Sequence, residues 1–283
     1  MKWKHLFFFG LVVLSFPLCT EGGNLLYVLP EGRPYTAADF STLSDQKVVL
    51  RFGNRVEWLW SKEIDGVTWY RCCRDNDFFF LPEMVVAGNT PPTSRDSHGN
   101  IPIGRAPVDR DRPLPLDYRP TDLVPVLSGY RARGYEWREM LLRREASKVF
   151  ERLIDHAERE GVNIRIISAF RDAAYQAQLY ANAINRNGFF QNSVAKPGHS
   201  EHQLGTVVDL TSDEIGGGLS TSFENTAAFQ WLKSHRVQYG ISLSYPKYKI
   251  EVTGYIYEPW HYRYLGENLW QRQEHNPFAF YTR

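Results

Sequence analysis

Cysteine is scarce in this 283-residue chain: Cys19, Cys72 and Cys73 are too few for a disulfide framework or a Cys-rich zinc module. An excess of charge of one sign is missing too, with 33 Lys plus Arg against 32 Asp plus Glu. That balance excludes the basic footprint of a nucleic-acid binder and of a polybasic membrane-surface protein. No apolar run reaches the roughly 20 residues that a membrane-spanning helix needs. Internal repeats are absent as well, which excludes a solenoid or propeller. What remains, 43% hydrophobic and 23% charged residues with 14% aromatics, is the composition of a folded globular chain.

The N-terminus carries a destination. Lys2, Lys4 and His5 form a basic head, and residues 6–18 form an apolar stretch that is short for a span and right for the core of a signal peptide. Residues 1–22 therefore predict export, to a periplasm or cell envelope. Cys19 raises a lipid anchor as an alternative, against which stands Leu18, where a lipobox has a small residue; cleavage after Thr20 or Gly22 is the other route.

Residues 25–86 read as a small β module. VVLRF (48–52), VEWLW (56–60), TWYRCC (68–73) and FFFLP (78–82) are rich in β-branched and aromatic residues, and Gly53-Asn54, Asp65-Gly66 and Asp75-Asn76 separate them as turns. Their order resembles a bacterial SH3-like domain, which implies a small barrel. Neighbouring strand residues face opposite ways, so a bridge between Cys72 and Cys73 would be strained, and both read as packing residues or free thiols. Residues 87–113, crowded with Pro, Gly and polar side chains, predict a linker or wrapping arm.

From 114 to about 275 a second domain follows. Apolar residues at helical spacing predict a helix over 137–161, ended by Gly161. NIRIISAF (163–170) reads as a strand, 172–185 as a helix, TVVDL (206–210) as a buried strand, 226–237 as a helix, and ISLSYP and GYIYEPWHYRY as late strands. The class is α+β, helices packed on a mainly antiparallel sheet.

His202, Asp209 and His261 form a ligand set that suits one zinc ion, and three protein ligands leave a fourth position open, as in a catalytic site. Glu258, three residues before His261, is placed to serve as general base. On an unbroken strand His202 and Asp209 would face opposite sides, so Gly205 must break the run, with His202 in a bend and Asp209 on the strand. Glu258 and His261 need a bulge or turn at Pro259 for the same reason. By itself such a trio says little, because a lone histidine is more often structural than a ligand.

The wider context adds to it. Ser200-x-His202-x-x-Gly205-x-x-x-Asp209, with Glu258-x-x-His261, resembles the zinc D-alanyl-D-alanine carboxypeptidases of the vancomycin-resistance (VanY) type, a family that includes L,D-carboxypeptidases and phage peptidoglycan endopeptidases. DYRPTDLV (117–124), ISAFRDAAYQAQLY (167–180), KPGHSEHQLGTVVDL (196–210), WLKSHRVQYGISLSYP (231–246) and TGYIYEPWHYRYLG (253–266) extend the likeness over about 114–269. The resemblance implies zinc on His202, Asp209 and His261, Glu258 as the base, and Arg171 facing the site, where a permanent cation can stabilise an oxyanion or hold a substrate carboxylate. Ser200 and Gln176 are candidates for binding the peptide terminus. Trp260 and Tyr262 are candidates for the pocket wall, with the core as the alternative for each. His199 is expected beside the site rather than on the metal. The departures, Ala169-Phe170 for Gly-Tyr and Thr206-Val207 for an apolar residue then Ala, remove no ligand. The implied substrate is a peptidoglycan stem peptide. A non-catalytic wall-binding protein is the alternative of another class.

Overall fold

The computed structural model describes residues 24–28, 50, 55–64, 67–74, 77–83, 86–88, 95–104, 108–110, 112–188 and 190–266. The expected signal peptide, Cys19, all of VVLRF except Leu50, and the part of the expected second domain beyond 266 lie outside the described residues.

Near the N-terminus β1 (Asn24–Val28), β2 (Arg55–Ile64), β3 (Val67–Arg74), β4 (Asp77–Pro82) and β5 (Val86–Gly88) form an antiparallel sheet in the order β4-β3-β2-β1-β5. Three of these contain predicted runs, and β2 pairs with β3 with Ile64 opposite Val67. Val56, Val67, Trp69, Cys72, Phe79 and Leu81 bury one another. Among the described residues no pairing joins β4 to β5, so what is seen is an open sheet and not the expected closed barrel. Cys73 is disulfide-bonded, which departs from the expectation of a free thiol. Cys72 is a buried free thiol, pushed up to about 12 by burial and so unreactive.

Two apolar residues of the Pro- and Gly-rich segment are buried against the residues that follow it. Ile101, Val108, Leu114 and Tyr118 form a buried cluster with Leu204. Leu114 N–H donates to Gly198 O at 2.7 Å, and a Cβ on Gly198, whose φ is +83°, would stand 2.8 Å from Leu114 O, so only glycine fits. The Lys196 ammonium donates to Glu83 O, just after β4, at 2.6 Å.

In the second domain β6 (Leu123–Pro125) pairs with β7 (Leu141–Arg143), and α1 (Arg144–Arg159) follows at once. The predicted helix thus begins seven residues later than its periodicity suggested. Leu141 to Arg143 are drawn into the pairing with β6, and Arg143 N–H donates to Gly205 O. Along α1, Ala146, Val149, Phe150, Leu153, Ile154 and Ala157 recur at three- and four-residue steps and are all buried. They pack on a four-stranded antiparallel sheet of order β10-β11-β9-β8, made of β8 (Arg165–Ser168), β9 (Val207–Thr211), β10 (Ile241–Leu243) and β11 (His261–Tyr264). Also described are α2 (Ala173–Asn187), capped by the Asp172 carboxylate on Tyr175 N–H, α3 (Ala227–His235), capped by Thr226, and the one-turn α4 (Ile250–Thr253). Among the described residues no helix is long and apolar enough to cross a membrane.

Candidate metal centre

Strand register sets the site. Asp209 on β9 stands directly opposite His261 on β11, so the two side chains leave the same face of the sheet. The alternate residues Val208, Leu210, Tyr262 and Tyr264 point into the core against α1. Tyr262 is therefore a core residue: it lies next to His261 on a strand and must face the other way. His202 comes from a 3-10 turn, Glu201–Leu204, ended by Gly205 at φ +70°. A Cβ there would press within 3.0 Å of both Arg143 and Leu123, so the bend after His202 depends on glycine. Glu258 sits in a turn closed by a hydrogen bond from His261 N–H to Glu258 O.

One ligand atom from each of His202, Asp209 and His261 falls within 4.8 Å of the others, and all three residues are buried. His202 Nδ1–H donates to Ala169 O at 2.7 Å, which leaves Nε2 with its lone pair toward Asp209 Oδ2, 3.3 Å away. Neither His202 Nε2 nor Asp209 Oδ1 has a hydrogen-bond partner. Buried polar atoms are rarely left so. Two orphans from two ligands, aimed at one point, fit a metal ion. His261 uses its other nitrogen: Nδ1 lies 3.3 Å from Asp209 Oδ1, while Nε2 is 3.0 Å from Glu201 Oε2.

Glu201 and its partner Arg263 were not foreseen. Arg263 Nη1 donates to Glu201 Oε1 at 2.7 Å, with both side chains buried. The chain arginine, carboxylate, imidazole fixes the His261 ring and its tautomer, as outer groups do around ligating histidines. One signal was available: Arg263 is two residues after His261 on a strand, hence on the same face. Tyr245 was missed as well; its ring packs 4.6 Å from that of His261.

The local fields differ sharply. Burial, and then the Arg171 cation, hold His202 down to about 4, so its imidazole is neutral and ready to ligate. Burial also opposes charge on His261, but Asp209 and Glu201 outweigh it and raise it to about 9. A metal ligand must be the neutral imidazole, so a cation bound at Nδ1 would displace the proton that these carboxylates favour. Asp209 is held well below the usual carboxylate range: burial works against ionisation, and the two imidazoles overcome it. Glu258, whose Oε2 is 3.5 Å from His261 Nδ1, is pushed up to about 7, chiefly by burial and further by the Asp209 charge. Such a carboxyl is matched to proton transfer near neutrality.

Asp209, Glu258 and His261 line a groove of about 320 Å³. Arg171, Gln176, Ser200 and Trp260 all line it. Arg171 Nη1 is 3.8 Å from Asp209 Oδ2, and its buried Nε has no partner. Gln176 donates to Ala195 O at 2.7 Å and keeps its Oε1 free of any hydrogen bond.

His199 lies beside the site and off it, buried, with Nδ1–H donating to Asp109 O at 2.7 Å. Burial foremost, then the Lys196 charge, lower it to about 4. The unfolded histidine titrates near 6.5, so between those values the unfolded chain holds a proton that the folded chain refuses. Stability is full above about pH 6.5 and falls as the pH drops toward 4, by on the order of 2–3 kcal/mol. His199→Asn, whose amide still donates to Asp109 O, flattens that part of the acid loss. Urea unfolding of both proteins in chelator at several pH values checks it; parallel profiles would contradict it.

Comparison with known proteins agrees with this geometry. The sequence model of the VanY family, described as D-alanyl-D-alanine carboxypeptidase, matches residues 139–267. The chain is 33% identical over 162 residues to YodJ of Bacillus subtilis (strain 168), covering 56% of this chain and 59% of that protein's length. It is 31% identical over 163 residues to the bifunctional D-Ala-D-Ala dipeptidase and D-Ala-D-Ala carboxypeptidase VanXYC of Enterococcus gallinarum, covering 56% of this chain and 82% of the relative. Among solved structures, the LdcB LD-carboxypeptidase superposes with a TM-score of 0.55 at 30% identity, over 62% of this chain and 82% of that one.

Proposed function

Because the chain belongs to the VanY family of D-alanyl-D-alanine carboxypeptidases, we propose that it is an exported, zinc-dependent peptidase that trims the terminal D-alanine from peptidoglycan stem peptides. The observation that carries the reading is the buried trio His202, Asp209 and His261, two of its ligand atoms orphaned, with the Glu258 carboxyl 3.5 Å from His261 on an open groove. His202 through Nε2, Asp209 through its carboxylate and His261 through Nδ1 would hold the ion. When bound, zinc supplies Lewis-acid polarisation of a carbonyl and activation of water at neutral pH.

Every other step falls to the chain's own side chains. Glu258 takes the proton from the attacking water as the C–O bond forms, and passes it to the amine of the leaving alanine as the C–N bond breaks. Arg171, with its Nε free of other partners, holds the oxyanion or the terminal carboxylate. The Glu201–Arg263 pair keeps His261 from turning. Ser200, Gln176 and Trp260 shape the seat of the peptide terminus.

Arg171→Ala is expected to lower kcat/KM by about 10²–10³-fold, the cost of a lost transition-state donor. Arg171→Lys should recover only part of it, because an ammonium cannot present the guanidinium's planar fork. Steady-state kinetics on a stem pentapeptide would read both, and wild-type rates in Arg171→Ala would remove that residue from the mechanism.

A second reading, removal of alanine from an L,D bond, is favoured by the likeness to the LdcB LD-carboxypeptidase. Incubation with pentapeptide, tetrapeptide and cross-linked muropeptides, followed by mass spectrometry, separates the readings. Shortening of the pentapeptide supports D,D cleavage, shortening of the tetrapeptide alone supports L,D cleavage, and cutting of cross-links alone means an endopeptidase. Export through 1–22 and a wall-positioning role for the first sheet belong to the same proposal.

A further inference from the structure

The groove is longer than the bond it is meant to cut. Helix α2 starts two residues after Arg171, whose Nη1 is 3.8 Å from Asp209, and Gln176, Leu179, Asn182, Ala183 and Arg186 along it line the groove. At 1.5 Å per residue, Gln176 and Arg186 are about 15 Å apart along the helix axis. An extended peptide rising about 3.3 Å per residue needs four or five residues to cover that length. A carboxypeptidase has one residue on the leaving side of the scissile bond, so nearly the whole groove lies over residues ahead of it. Apart from Arg171, Asp209, Glu258 and His261, Arg186 is the one charged side chain on the groove among the described residues. It is exposed, and among the described residues no carboxylate pairs with it. A guanidinium with no carboxylate partner among the described residues, ten residues along α2 from Gln176, suits an anionic group.

We propose that Arg186 recognises a carboxylate carried by the stem peptide a few residues ahead of the scissile bond. This rests on the stem-peptide reading above and specifies which peptides the site prefers. Stem peptides offer two such carboxylates, the α-carboxylate of a γ-linked glutamate and the side-chain carboxylate of diaminopimelate, and either would bond the guanidinium through paired N–H donors.

The test uses the full zinc-loaded chain with stem pentapeptides in three forms: both carboxylates free, the glutamate amidated, and lysine in place of diaminopimelate. Affinity is read by calorimetry and turnover by mass spectrometry, for the native protein, Arg186→Gln and Arg186→Lys. In the native protein, loss of the recognised carboxylate should weaken binding about three- to fivefold, the size of an exposed arginine–carboxylate contact. The modification that produces this effect identifies the source. In Arg186→Gln the ratio between free and modified peptides should fall to about one, and Arg186→Lys should keep part of it. Cleavage of all three peptides at equal affinity, or the same ratio in Arg186→Gln as in the native chain, would overturn the subsite and leave the peptidase reading standing. Failure to bind any of the three would overturn both.

Discussion

Replacing Glu258 by Gln is expected to lower kcat about 10²–10⁴-fold, the usual contribution of a positioned general acid–base, while the protein still binds one zinc. Glu258 is not counted among the ligands: the trio is complete without it, and its carboxyl lies 3.5 Å from His261 Nδ1. Burial pushes that carboxyl up to about 7, so ionising it costs the folded state free energy. The glutamine variant should therefore unfold no earlier than the native protein, as expected where activity and stability compete. Metal analysis, thermal unfolding and turnover, measured on one preparation, read the three outcomes together. Loss of zinc with loss of activity would make Glu258 a ligand, and full activity would remove it from the chemistry. A wall-binding scaffold would keep its function in the variant.

The second large effect is expected at a residue that touches no substrate. Glu201 sits at the centre of a buried chain, accepting from Arg263 at 2.7 Å and standing 3.0 Å from His261 Nε2. Burial alone would push its carboxyl up, but the Arg263 charge and the His261 hydrogen bond hold it down to about 2. Breaking a buried pair by removing one partner leaves the other charge uncompensated and costs about 3–5 kcal/mol. Glu201→Ala is expected to lose that much in urea unfolding, measured in chelator so that metal does not mask it. Glu201→Gln, which keeps the shape and one acceptor, should fold better yet bind zinc about 10–100-fold more weakly, because His261 loses the group that orients it. Competition with a chromophoric chelator gives the affinity. Unchanged zinc affinity in Glu201→Gln would mean that His261 is held by the sheet alone.

Much of the site was legible in the chain because its cues are local. Gly205 marks the bend that frees His202 from strand alternation, and TVVDL marks the strand that carries Asp209; both stand where spacing put them. What was not legible depends on distant partners. The start of α1 was misplaced because residues 141–143 pair with 123–125, a competition invisible to periodicity. Tyr262 stayed open between core and pocket until the register of β11 on β9 fixed which face carries His261. Glu201 drew no expectation, because the arginine that pairs with it is 62 positions away. The barrel expected near the N-terminus illustrates the same limit: single strands are written in aromatic runs, whereas closure depends on pairings between the ends of the sheet.

The most direct measurement is the mass spectrum of a stem pentapeptide after incubation with the zinc-loaded protein in water enriched in heavy oxygen. Hydrolysis at this centre predicts a tetrapeptide short by one alanine, with one heavy oxygen in its new terminal carboxylate, and none of it from Glu258→Gln carrying the same zinc. An intact pentapeptide, with zinc bound and the fold preserved, would contradict it.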